Sequence, residues 1–186
     1  TLEKKAGLPV TTETTNNLPG KGLAAIKQAA DAKKYLFILF YKTDDEETQT
    51  VKRSLDELAR NFADRAEVAS VSVTDPAEQG IVNQYGLGRA PLPLVLAMAP
   101  NGAVTRSFVR NFDETQFAMA FVSPGMEKCV KALQDRKMVL VCVQNDSTPQ
   151  KAEAMQGVKE FAADAQYAKS TEIITVDPAD AAEAGF

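Results

Sequence analysis

Apolar and polar positions along the chain fall into two periods, and these sort it into elements. Tyr35-Leu36-Phe37-Ile38-Leu39-Phe40-Tyr41 is an unbroken apolar run. It is short, aromatic and β-branched, which predicts a strand buried on both faces. Val51, Leu55, Leu58 and Phe62 then recur at helical spacing and predict an amphipathic helix. Between the two, Thr43-Asp44-Asp45-Glu46 reads as a capping box, Thr43 accepting from a first-turn amide and Glu46 reaching back. Leu23, Ile26 and Ala30 line one side of a helix over 22–33. Glu67 to Val73 is a second strand. Asp75 is the cap and Pro76 the first turn of a short helix running to about Gln84. Leu94 to Met98 and Ala103 to Val109 are strands joined by the hairpin signal Asn101-Gly102. Asp113 to Phe121 is a closing helix with Phe117 and Phe121 on one face. Residues 1–21 are Thr- and Asn-rich, hold Pro9 and Pro19, and read as an extended arm or linker.

From Gly125 the same order of elements returns. A shift of 103 lays Gly22 on Gly125, and GLAAIKQAADAKKYLFILFYK on GMEKCVKALQDRKMVLVCVQN. Leu55-Asp56-Glu57-Leu58-Ala59 falls on Val158-Lys159-Glu160-Phe161-Ala162. After one deletion Asp75-Pro76 meets Asp177-Pro178. No counterpart of the later hairpin and closing helix follows. The pattern therefore predicts one complete unit over 22–123 and an incomplete one over 124–186. Half a unit leaves strand edges unpaired, so the expectation is a fragment whose natural chain runs on past Phe186. A start at Thr1 likewise suggests a piece removed upstream, which fits an exported protein.

Composition narrows the functions. The 186 residues are 45% hydrophobic with a net charge of −4, and no basic stripe is present to favour nucleic acid. No apolar run approaches the roughly 20 residues of a membrane span. There is no histidine, which excludes Ser-His and Cys-His nucleophiles and His-ligated metals. Cys129 and Cys142 both sit among apolar neighbours and read as buried small hydrophobes. A disulfide between them stays open and would need Cα atoms within about 7 Å.

The strand–loop–helix segment resembles the heart of a thioredoxin domain. There, a pattern like Phe-Trp-Ala-Glu-Trp-Cys-Gly-Pro-Cys-Lys runs into a helix ending Leu-Asp-Glu-Ile-Ala. Leu55-Asp56-Glu57-Leu58-Ala59 fits that ending, and Phe40-Tyr41 falls on Phe-Trp. Asp45-Glu46-Glu47-Thr48 then stands where both redox cysteines belong, and Leu39 where the family often keeps a buried acid. Thr148-Pro149-Gln150-Lys151 holds the corresponding place in the second unit. Tyr85-Gly86-Leu87 resembles the approach to the family's cis-proline. Counting from Tyr85 points to Pro91; counting back from Asn101-Gly102 points to Pro93; Pro91 is the preferred match. The resemblance implies an α/β fold, a thioredoxin-like mixed sheet flanked by helices, followed by a partial second unit. Tandem units lacking redox cysteines resemble the non-catalytic domains of protein disulfide isomerases and calsequestrin-like proteins.

The expected function is a non-enzymatic binding or scaffolding module with no cofactor and no metal. Its partner would be a protein or peptide, with room for an oligomer. The candidate peptide-binding residues are Asp45, Glu46, Glu47, Thr48, Arg89, Ala90 and Pro91, since a groove beside the proline can pair an extended peptide without any thiol. The alternative is an oxidoreductase or disulfide isomerase-like protein whose active thiols lie outside this stretch. The acidic run Asp44-Asp45-Glu46-Glu47 also suits a helix start by charge alone. A weak calcium site there is a third option, although an oxygen cage takes about six to eight ligands.

Overall fold

The apolar run forms strand β1 (Tyr35–Tyr41), six of its seven residues buried. The computed structural model describes residues 20–186; the arm expected over 1–21 lies outside them except for its last two residues. Helix α1 (Lys21–Asp31) precedes β1 and α2 (Glu46–Arg60) follows it. Strand β2 (Ala66–Ser72) leads through a 3-10 turn into α3 (Gln79–Gln84). A hairpin of β3 (Leu94–Met98) and β4 (Val104–Val109) and the short α4 (Glu114–Ala118) complete this part. The sheet order is β2-β1-β3-β4, with β2 parallel to β1 and the hairpin antiparallel. This is a mixed sheet flanked by helices, the thioredoxin-like architecture.

Period two divides β1 between two cores. Phe37 and Leu39 face Val51, Leu55 and Ala59 of α2 and Phe117 of α4. Leu36, Ile38 and Phe40 face Ala29 of α1 and Ile81 and Val82 of α3. Phe37 stacks on Phe117 with ring centroids 3.9 Å apart. Such burial, at roughly 1.5–3 kcal/mol per large side chain, makes β1 the pivot of the unit.

Several local expectations are corrected. The cap of α2 is Asp45, not Thr43: Asp45 is extended and accepts from the Thr48 amide, while Thr43 donates its hydroxyl to Asp45. Phe62 lies beyond the end of α2, and the closing helix stops at Ala118, so Phe121 packs from the loop after it. The cis peptide bond is Leu92–Pro93 and not the bond before Pro91. Pro93 directly precedes the first residue of β3, so the count back from the hairpin turn locates it.

Residues 124–186 fold as α5 (Pro124–Gln134), β5 (Met138–Val143), α6 (Lys151–Ala163), β6 (Thr171–Val176) and a 3-10 turn. Strands β5 and β6 are a parallel pair in a sheet of their own. One device recurs in both parts. The Gly22 amide, in the first turn of α1, donates to the Glu78 carboxylate at 3.1 Å, and the Gly125 amide of α5 donates to Glu183 at 2.9 Å. Each glutamate ends a 3-10 turn capped three residues earlier, by Asp75 and by Asp180. In this device Asp180, three residues after the Asp177 of the sequence alignment, stands where Asp75 does. A side chain at either glycine would press on the carboxylate: an added Cβ would lie 3.0 Å from Glu78 Oε2 or 2.7 Å from Glu183 Oε2.

The two parts are joined by polar contacts. Tyr35 donates its hydroxyl to Glu127 of α5 at 2.6 Å and accepts from the Val122 amide at 3.1 Å. The Gln134 side chain bonds both the N–H and the C=O of Val104 at the margin of β4.

Candidate functional site

Strand register gathers the candidate residues at one end of the first sheet. Tyr41 ends β1 beside Ser72 of β2. Phe40 pairs with Leu94, and Leu94 with Val109. The loop before α2, the cis-proline bond and Arg110 therefore share that end.

The loop is closed by its own side chains. Thr43 Oγ1 donates to Asp45 Oδ2 at 2.7 Å, Asp45 Oδ1 accepts from Thr48 N at 3.0 Å, and Thr48 Oγ1 donates back to the Thr43 carbonyl at 2.8 Å. The Thr43 hydroxyl first, and then the Thr48 amide, hold the Asp45 carboxyl below the usual carboxylate range. Gln49 donates its amide to Asp44. Thr48 is only 2% exposed, so it cannot meet a peptide. It locks the turn instead, which removes it from the candidate peptide-binding set.

Glu46 and Glu47 remain accessible. Together with Thr50, Arg110 and Asn111 they line a hollow of about 390 Å³. Glu47 is paired with Arg110 at 3.2 Å, an exposed contact whose energy is small because water screens it. Arg110 was not singled out from the sequence. It follows a strand end with φ of 67°, and its position opposite the loop depends on the hairpin register.

Ala90 and Pro91 belong to a different surface, and Arg89 is exposed without lining either hollow. Gly86 turns with φ of 64° into the 3-10 turn Leu87–Arg89, a conformation that glycine adopts without a Cβ penalty. Ala90 and Pro91 then line a larger hollow of about 820 Å³ with Leu94, Leu96 and Val104. That hollow lies on the α1–α3 face of the sheet, since Leu94 and Leu96 belong to that core. The expected single groove is thus two surfaces, one acidic at the α2 start and one apolar beside Pro91. Leu92, the one N–H donor between Pro91 and Pro93, has no backbone partner among the described residues.

Neither thiol is near this end. Cys129 packs in α5 against Ile174 and Val176, and Cys142 lies in β5; both are free. Burial pushes the Cys129 thiol up, and the negative charge of Glu183 adds to it. In the second part, Asp146 pairs with Lys151 at 2.6 Å where α6 begins. Thr148 lies in the turn before that helix and accepts from the Asn145 amide. Among the described residues no group of three or more acids or thiols is arranged to hold a metal ion, and no helix is long and apolar enough to cross a membrane.

No family model matches the chain, and no curated protein matches it. Among solved structures, oxidized thioredoxin O2 of Arabidopsis thaliana is similar over 54% of this chain and 85% of its own, at 12% identity and a TM-score of 0.43. The germline-specific thioredoxin Deadhead of Drosophila melanogaster is similar over 49% of this chain and 80% of its own, at 22% identity and a TM-score of 0.39. Both likenesses are partial, and the fold assignment stands on strand order and register.

Proposed function

We propose that this thioredoxin-like protein is a non-enzymatic binding or scaffolding module built from two related units, the second partial. The observation that carries the reading is the loop before α2. A thiol exchange site needs an accessible, low-pKa sulfur. Here that place is held by the Asp45 cap and the inward Thr48. The two cysteines of the chain are elsewhere and unpaired. The recurrence of the glycine–glutamate clamp supports the two-unit reading independently of residue identity.

This reading puts binding at the sheet end that both hollows border, where Val109 lines one and Arg110 the other. The surface beside Ala90 and Pro91 is apolar, and Leu92 offers backbone groups for an extended peptide. Glu46 and Glu47 favour a basic residue at the peptide's flank. Two measurements test this. Insulin reduction in the presence of dithiothreitol should run no faster with the protein than without it; acceleration would refute the non-enzymatic assignment. Titration with extended apolar peptides carrying one Lys or Arg should shift the NMR signals of Ala90, Leu92 and Asn111. Saturable shifts confined to other surfaces would refute the placement.

A further inference from the structure

We infer that the peptide site is composite: α5 of the second part is its far wall, and Gln134 is the residue that positions this wall against β4. The inference rests on the peptide reading above and adds a length to it, since the segment taken must reach from Pro91 to α5.

The hollow beside Pro91 runs along a strand. Ala90 and Pro91 stand at its near end; Gly102 and, from α5, Lys131 and Gln134 stand at its far end. Leu94 and Leu96 of β3 and Val104 of β4 make the floor between them. Leu94 pairs with Val109 and Met98 with Val104. The floor therefore follows Leu94–Met98, about 13 Å of strand at roughly 3.3 Å per residue. An extended peptide needs about five residues to touch both ends.

One face of α5 fixes the far end. Glu127, Val130 and Gln134 follow one another at spacings of three and four, which sets them on one side of a helix. Glu127 accepts from the Tyr35 hydroxyl at 2.6 Å. Val130 packs against the core that holds Phe37 and Phe117. Gln134 accepts from the Val104 amide at 3.0 Å and donates to the Val104 carbonyl at 2.8 Å, as a neighbouring strand would. Cys129 and Ala132 are buried on another side of the helix, Cys129 against Ile174 and Val176. Lys131 lies over the hairpin turn, its Cε 3.8 Å from the place a Cβ would take on Gly102.

α1 shows that this face belongs to the junction and not to the unit. The shift that lays Gly22 on Gly125 sets Glu127, Val130 and Gln134 on Ala24, Lys27 and Asp31. Those three are exposed, and Lys27 pairs with Asp31 at 2.6 Å. The same side of the helix faces solvent in one part and a sheet in the other. Gln134 sits both on that side and in the hollow, so the hollow is continuous with the seam between the two parts. Lys131 and Asp135, paired at 2.5 Å, give the peptide a polar exit there.

The test is NMR titration of the whole chain, as wild type and as Gln134→Met, with two capped peptides. One is Lys-Val-Thr and the other Lys-Val-Thr-Val-Thr-Val-Thr. The short peptide should shift Ala90 and Leu92 alone, and the long one should shift Lys131 and Gln134 as well. Gln134 is exposed, so methionine leaves the fold in place while removing both bonds to Val104. It should weaken the long peptide about fivefold and leave the short one unchanged. A merely structural role would weaken both alike. Equal weakening overturns the inference and leaves the peptide reading standing, and so does a long peptide that shifts Ala90 and Leu92 without Lys131 and Gln134. Nuclear Overhauser contacts from residues 1–19 to Leu96 or Val104 in the free protein would mean that the chain fills the hollow itself, and would also overturn it. Absence of saturable binding by either peptide refutes the inference and the peptide reading together.

Discussion

Strands β1 and β5 start from the same frame and end in opposite environments. Each follows a helix whose first-turn glycine amide is held by a glutamate from a 3-10 turn. Each runs parallel to the strand after the next helix. Yet β1 is buried along nearly its whole length, and no residue of β5 is fully buried. The same holds for the helices beside them: α2 buries Thr48, Val51, Leu55 and Ala59, whereas α6 buries no residue. The frame of a unit is thus specified locally, by caps and a close glycine contact, whereas its burial depends on how many neighbours the strand has. Among the described residues β1 lies between β2 and β3, whereas β5 is paired with β6.

Core truncation should break the comparison most sharply. Phe37→Ala removes a fully buried ring stacked on Phe117 and should cost about 3–5 kcal/mol. Leu140→Ala, at the aligned position, removes a half-buried side chain and should cost about 1 kcal/mol or less. Urea denaturation of the two variants checks the contrast. Similar losses would mean that β5 is covered as fully as β1.

The glycine clamp should behave alike in both parts. Gly22→Ala and Gly125→Ala each force a Cβ against a carboxylate oxygen and a neighbouring methyl group. Each should destabilise by roughly 1–3 kcal/mol, as overpacking does. Thermal melts of the two variants measure it. A neutral Gly125→Ala would show the second clamp to be loose and would weaken the two-unit reading.

Much of the first unit was legible because its signals are local. The run Tyr35–Tyr41, the stripe Val51–Leu55, the Asn101-Gly102 turn and the Asp75-Pro76 start each act over a few residues. Gly125 was legible as the partner of Gly22, but the role of both glycines was not, because Glu78 and Glu183 reach them from more than fifty positions away. The same distance hid Arg110 from the loop it faces. Thr48 looked like a surface residue because its burial follows from a hydrogen bond to Thr43, not from apolarity. The proline assignment failed for a smaller reason. Two prolines stand two residues apart, and only the start of β3 separates their roles.

A smaller effect should come from the contact that joins the parts. Tyr35→Phe leaves the Val122 amide and the Glu127 carboxylate without their shared hydroxyl. Losing partners at a half-buried site should cost about 1–2 kcal/mol. If the two parts fold as one cooperative body, denaturation followed by Tyr fluorescence and by far-UV circular dichroism should shift together. Separate transitions in the variant would show that the Tyr35–Glu127 contact helps to bind two independently stable parts.

The pH dependence of that contact is the smallest effect and the most specific. Burial raises the Glu127 carboxyl above the ordinary glutamate value, the Tyr35 hydroxyl pulls it back down, and Glu183 nearby raises it again, with Lys128 opposing. Burial and the hydrogen bond to Glu127 push the Tyr35 phenol up, so tyrosine does not titrate in the same range. A carboxyl whose folded pKa lies above its unfolded one binds its proton more tightly in the native state. Stability from this group is therefore full below the unfolded value and lost as pH rises to the folded one. Acidifying from neutrality into the glutamate range should stabilise the wild type relative to Glu127→Gln, whose amide keeps an acceptor for Tyr35 but does not titrate. The difference in melting temperature between the two should narrow or reverse across that window in favour of the wild type. A difference that stays flat would mean that Glu127 titrates as a solvated surface acid, and that the junction between the two parts is open to water.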